Sequence, residues 1–135
     1  FDRVLNDIAC DKVIVDDKTG AEKAVQNLLD KGCRNILLVS TQDYINVGKL
    51  RTQGYLEALK KNHMIADNRL MIKAQDLKNP EQAVFELEEQ IDQAIGENSA
   101  IDGIFCVNEI YAAAALKVLK KRKMELFMTN IRVFF

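Results

Sequence analysis

Histidine occurs once in the 135 residues, at position 63. That scarcity removes a Ser-His-Asp relay and any histidine-based metal site from the chemistry open to the chain. His63 itself stands near the end of a helical stretch, where it complements the helix dipole or faces water. Cysteine occurs three times, at 10, 33 and 106. An odd count at wide spacing gives neither a disulfide framework nor a zinc pattern, so all three are expected as reduced structural thiols. Cys106 lies in the apolar run IFCV and reads as a small buried hydrophobe. Neither sign of charge dominates: 19 basic residues face 20 acidic ones, for a net charge of −1. No overall field therefore recruits nucleic acid or an anionic membrane. No apolar run approaches the roughly 20 residues that span a bilayer, and no membrane partner is expected. No signal-peptide pattern is visible. The chain opens on Phe1-Asp-Arg without an initiator Met, which suggests a piece of something longer. Neither a G-x-G-x-x-G nor a Walker A loop is present, so no nucleotide cofactor is expected and no other cofactor is implied.

What is present is a soluble core composition, 48% hydrophobic and 29% charged, in the length of one domain. Short apolar runs at 13–15, 35–40, 70–74, 103–107 and 131–135 predict buried strands. Between them lie segments with helical spacing. Ala21, Ala24, Val25, Leu28 and Leu29 mark the first, with Thr19 and Glu22 at capping-box spacing and Gly32 as its stop. The second runs over 46–62. The third starts at Asn79-Pro80, an N-cap followed by the residue best suited to the first helical position, and is expected to end at Gly96. The fourth follows Asn108. Strands alternating with helices, and apolar almost throughout, predict an α/β/α fold: a parallel sheet covered by helices on both faces.

Ligands of such sheets bind at the carboxyl ends of the strands. Three polar residues fall on that rim. Asp76 follows the strand at 70–74, and Asn108 follows the strand at 103–107. Arg51 rises early in the second helix, and its side chain leans back toward the helix N-terminus. Two of them have a plainer reading: a surface ion pair for Arg51, a helix cap for Asn108. Asp16-Asp17 could bind a metal, or form a hinge or cap. The run at 120–123 is basic enough for phosphate, or simply complements a helix terminus in solvent. A further puzzle is Gly54, three residues after Arg51, because glycine costs a helix interior about 1 kcal/mol.

Taken in order, Phe1-Asp2-Arg3, Val13-Ile-Val-Asp-Asp17 with Gly20, Gly32-Cys-Arg-Asn-Ile36, Arg51-x-x-Gly54-Tyr55 and Asn108-Glu109 before an alanine-rich helix resemble the regulatory core of LacI/GalR-type transcriptional regulators. The resemblance covers almost the whole chain. It implies a Rossmann-like, type I periplasmic-binding-protein-like fold with two subdomains around an effector cleft. Residues 1–17 would be the remnant of the first subdomain with its hinge crossover. Residues 18–135 would be the second subdomain, incomplete at its end. It also implies a cytoplasmic homodimer that binds a small-molecule effector, in the first instance a sugar, and touches DNA only through an N-terminal head absent here. A sugar-binding protein of a transport system is the alternative. No enzymatic activity is implied. The expected ligand-binding set is Asp2, Asn46, Arg51, Asp76, Leu77, Asn108 and Glu109, with Gly54 letting its helix pack closely on the sheet. The helix after Asn108, together with the helix over 80–95, is expected to contribute to the dimer, because Ala112 to Ala115 cannot all face the sheet. The sequence departs from the family pattern at Glu109, where Asp is usual, at Cys33 in place of His, and at Leu77, where many members place an aromatic ring. The stretch 124–130 lacks the expected Gly and Pro, and the chain stops before a further loop that supplies a cleft acid.

Overall fold

The computed structural model describes residues 10–11, 17–126 and 131–135. Five strands alternate with four helices: β1 (Cys10–Asp11), α1 (Asp17–Asp30), β2 (Ile36–Ser40), α2 (Asn46–Lys61), β3 (Met71–Lys73), α3 (Pro80–Glu97), β4 (Gly103–Cys106), α4 (Glu109–Leu126) and β5 (Arg132–Phe134). All strand pairs are parallel, in the order β1-β5-β4-β2-β3. The expected parallel sheet is therefore present. The strand expected at 13–15, the hinge at Asp16 and the cleft residue Asp2 lie outside the described residues.

Strand periodicity sorts the side chains into two layers. Ile36 and Leu38 of β2, Phe105 of β4 and Phe134 of β5 pack with α1 and α2. Leu37, Val39, Ile104, Cys106 and Val133 pack with α3 and α4. Every residue of β2 and β4 is buried, which is why these strands carry uninterrupted apolar sequence. Cys33 and Cys106 are both buried. Burial, followed by the nearby Asp102 carboxylate, pushes the Cys33 thiol up, so it stays protonated and inert.

The helix ends differ in part from expectation. Gly32 stops α1 as predicted: it has φ 100°, and the N–H groups of Gly32 and Cys33 return to the carbonyls of Leu29 and Leu28. Thr19 is not the N-cap, because the helix already begins at Asp17. Gly96 does not end α3, which runs on to Glu97. Its missing side chain leaves room for Arg122 of α4, whose Nη2 would lie 2.9 Å from a Cβ there. That guanidinium bonds Asp92 through both its side chain and its carbonyl, which explains one member of the basic run at 120–123 as a tie between the two helices. Asn79 caps α3 as expected, accepting from the N–H groups of Glu81 and Gln82.

The glycine at 54 packs tightly, but not on the sheet. A Cβ there would lie 2.3 Å from the Lys18 carbonyl oxygen and 2.7 Å from the Ala21 Cβ, so the close neighbour is the backbone of α1. As expected, the alanines of α4 do not all face inward. Ala112, Ala114 and Ala115 are all buried, and of the four only Ala113 is exposed.

Candidate functional site

The chain passes from β2 outward to β3, then crosses back to lay β4 and β5 on the other side of β2. The winding therefore reverses between β2 and β4, and the crevice of an open α/β sheet lies at the carboxyl ends of such a pair. Two short segments frame it here: the loop at 41–45 after β2, and Val107-Asn108 after β4.

Ser40, buried at the end of β2, fixes the first segment. Its hydroxyl donates to the Gly48 carbonyl at 3.3 Å and shares a 2.7 Å hydrogen bond with the Thr52 hydroxyl. Both partners belong to the first turns of α2, so the helix start is tied to the strand end. Gly48 permits this closeness, since a Cβ there would stand 1.7 Å from the Thr41 hydroxyl oxygen. Arg51 precedes Thr52 and is thereby aimed across the crevice. Its Nη1 donates to the Val107 carbonyl oxygen at the end of β4. Asn108 then caps α4, its side-chain oxygen accepting the Tyr111 N–H at 2.9 Å. The cap reading of Asn108 thus holds, and Arg51 and Asn108 are brought to one place.

The rest of the predicted set distributes around them. Asp76 lies exposed on the same rim and accepts the Tyr44 hydroxyl at 2.7 Å. Leu77, its neighbour, is half-buried. Asn46 opens α2 and is exposed, while Ile45, without a side-chain bond, occupies the cap position. Glu109 opens α4 and faces solvent. Asp43 of the loop pairs with Lys73 at 2.7 Å, and Gln42 donates to the carbonyls of Lys73 and Ala74 at 3.2 and 3.1 Å. The loop after β2 is therefore pinned to the end of β3 by three side chains.

Two rim residues escaped the sequence reading, Tyr44 and Tyr111. Tyr44 stands 70% exposed on that pinned loop. Its hydrogen bond to Asp76 raises the phenol above the usual range, with smaller contributions from desolvation and the Asp76 charge. Tyr111 is half-buried and packs against the apolar layers on both faces of the sheet, so it covers the sheet's carboxyl end. Burial raises its phenol, the Asn108 amide pulls it down, and Asp76 adds a smaller upward push. A signal did exist: Tyr44 lies in the loop after β2, and Tyr111 lies three residues after Asn108. Val47 and Ile110, at the starts of α2 and α4, are also exposed apolar side chains. The rim thus offers hydrogen-bonding groups set among apolar and aromatic surface, as small-molecule sites do. Among the described residues no group of three or more His, Cys, Asp or Glu is placed to hold a metal ion. No helix among them is long and apolar enough to cross a membrane.

Comparison with known proteins bears on the family and the fold. The regulator GalR of Salmonella typhimurium (strain LT2) is 29% identical over 120 residues, 88% of this chain and 33% of the relative. GalR of Escherichia coli K12 is 30% identical over 108 residues, 79% of this chain and 29% of the relative. The chain therefore spans about a third of the length of these relatives. A crystal structure of a putative transcription regulator from Staphylococcus saprophyticus superposes with a TM-score of 0.75 at 20% identity, covering 88% of this chain and 43% of that one. Residues 2–131 match the family described as periplasmic binding proteins and sugar binding domain of LacI family, and the chain belongs to that family.

Proposed function

We propose that this chain is part of an effector-binding core of a LacI-type transcriptional regulator, and that its effector is a small sugar held against the carboxyl rim of the sheet. One observation carries the reading: Arg51 reaches from α2 across the winding reversal to the Val107 carbonyl, beside Asn108. A guanidinium presents a fixed fork of donors, and an asparagine amide both donates and accepts, the pattern that sugar hydroxyls need. The ligand would be closed over by the first subdomain, and closure would shift a two-state equilibrium read out by DNA-binding segments outside this chain. The related proteins are named HTH-type transcriptional regulators, which favours this role over that of a transport protein or an enzyme, and supports a cytoplasmic location.

Such a regulator would act as a homodimer, and α3 offers the contact. Phe85 is 59% exposed on its outer face, among Glu88, Glu89, Lys117 and Lys121 at the α3–α4 groove. The groove lies between α3 and α4, the two helices expected to contribute to the contact.

The test is calorimetry of the whole protein with a panel of monosaccharides and disaccharides. Arg51→Ala should weaken binding by roughly 10- to 100-fold, as expected for loss of a charge-assisted hydrogen bond. Unchanged affinity in a folded variant overturns the site assignment.

A further inference from the structure

Tyr44 is immobilised without being buried. Its ring is 70% exposed, yet its hydroxyl is tethered to Asp76 at 2.7 Å. The backbone beneath it is pinned to β3 through Gln42 and Asp43. Ordering a loop and an aromatic side chain costs conformational entropy, and among the described residues little burial of the ring offsets it. Tyr44 also has company. Of the exposed large apolar side chains among the described residues, Val47 and Ile110 share its rim. Asp76 is peculiar in the complementary sense. Tyr44 is its hydrogen-bond partner among the described residues, and no basic residue pairs with it there. One bond leaves most of the acceptor capacity of a carboxylate open.

We propose that Tyr44 and Asp76 together read the ring of the effector: the exposed phenol face takes the C–H face of a pyranose, and the Asp76 carboxylate accepts from its hydroxyls. The inference rests on the sugar-binding reading and deepens it. A pyranose has one face of axial C–H groups and an edge of hydroxyls, so it needs an apolar plane and a nearby acceptor at a fixed angle. The 2.7 Å bond sets that angle before any ligand arrives. Pre-organisation of this kind lowers the ordering cost of binding. Tyr111, wedged over the end of the sheet between the two apolar layers, forms the floor beside them. An open-chain polyol carries the same hydroxyls but no rigid C–H face. The pair therefore distinguishes rings from acyclic alcohols, a discrimination that Arg51 and Asn108 alone do not supply.

The experiment is binding of D-glucose, D-galactose and cellobiose, and of glucitol and galactitol, to the whole protein. It is followed by calorimetry and by saturation-transfer NMR on the sugar protons. Native protein should prefer a ring over its open-chain alcohol. Tyr44→Ala should weaken ring binding by about tenfold and erase that preference, as expected for loss of an aromatic contact. Tyr44→Phe keeps the plane and should retain the preference. Asp76→Asn should weaken binding by roughly tenfold or more through loss of a charged acceptor. Saturation transfer to the axial C–H protons should vanish in Tyr44→Ala and persist in Asp76→Asn. Folding of each variant is checked by its thermal transition. If Tyr44→Ala and Asp76→Asn bind pyranoses like the native protein while Arg51→Ala does not, the pair is overturned and the sugar site stands. If the native protein binds none of these sugars, the pair and the site both fall.

Discussion

Gly54 of α2 lies so close to Ala21 of α1 that a Cβ placed on the glycine would stand 2.7 Å from the alanine's own. The Lys18 carbonyl oxygen is nearer still, at 2.3 Å, and belongs to the backbone, which cannot swing aside. Gly54→Ala therefore sets two effects against each other. Helix propensity favours alanine by about 1 kcal/mol. Overpacking against a fixed helix costs about 1–3 kcal/mol, and a backbone overlap belongs at the upper end. The expected outcome is a net loss of about 2 kcal/mol in chemical denaturation. A variant as stable as the native chain would show that α1 and α2 separate freely.

Much of this architecture is legible in sequence because buried parallel strands are apolar throughout. The runs at 35–40 and 103–107 correspond to β2 and β4, every residue of which is buried. Gly54 shows where that legibility stops. Its presence signals close packing, but spacing along one helix cannot say whether a sheet or another helix is the neighbour. Gly96 fails for a related reason: a glycine that makes room for Arg122 looks the same as a glycine that ends a helix. Among the rim residues, Asn108 could be placed from sequence because it directly follows a strand, and Arg51 because it rises early in the helix after one. Tyr44 was missed: its place in the loop after β2 was the one signal, since a loop aromatic has no periodicity to add a second. Its hydrogen-bond partner, Asp76, is 32 residues away.

Asp102 ties the amino edges of three strands together. Its carboxylate accepts from the N–H of Arg34 at 3.0 and 2.9 Å and of Asn35 at 2.9 Å, while its carbonyl accepts from the N–H of Arg132 at 3.2 Å. Asp102→Ala removes the side-chain acceptor and strands two donors at the entrance to β2. A loss of about 2 kcal/mol is expected from hydrogen bonds to a charged group that is only partly buried. Asp102→Asn keeps one acceptor oxygen and should recover roughly half of that loss. Equal stability of the two variants would contradict this account.

His63 occupies the left-handed region, with φ 58°, directly after α2. Its N–H returns to the Lys60 carbonyl and that of Met64 to the Leu59 carbonyl, at 3.1 and 2.9 Å, so it stands where glycine usually ends a helix. A side chain in this conformation costs about 1 kcal/mol or more. Part of that is offset because glycine also loosens the unfolded chain. His63→Gly should raise the thermal midpoint by a few degrees, equivalent to about 0.5–1 kcal/mol. His63→Ala should not.

Tyr55 is fully buried, and its hydroxyl donates to the Ile36 carbonyl at 2.8 Å. Desolvation, with a smaller push from Asp67, holds the phenol far above the ordinary tyrosine range. The sign of the linkage follows from which state keeps the proton. Below the unfolded value of about 10 both states are protonated, and the stabilising contribution is fully present. Above it the unfolded chain ionises while the folded one does not, so the unfolded state binds fewer protons and stability falls as pH rises. For one group the slope approaches about 1.4 kcal/mol per pH unit. Tyr55→Phe removes that slope and also the hydrogen bond, at a cost of about 1 kcal/mol near neutrality. The native chain should therefore be the more stable of the two at pH 7, and the two stability curves should converge and then cross as pH rises above 10. Denaturant titrations from pH 7 to pH 11 measure this directly, and parallel curves across that range would show that Tyr55 ionises as readily in the folded chain as in the unfolded one.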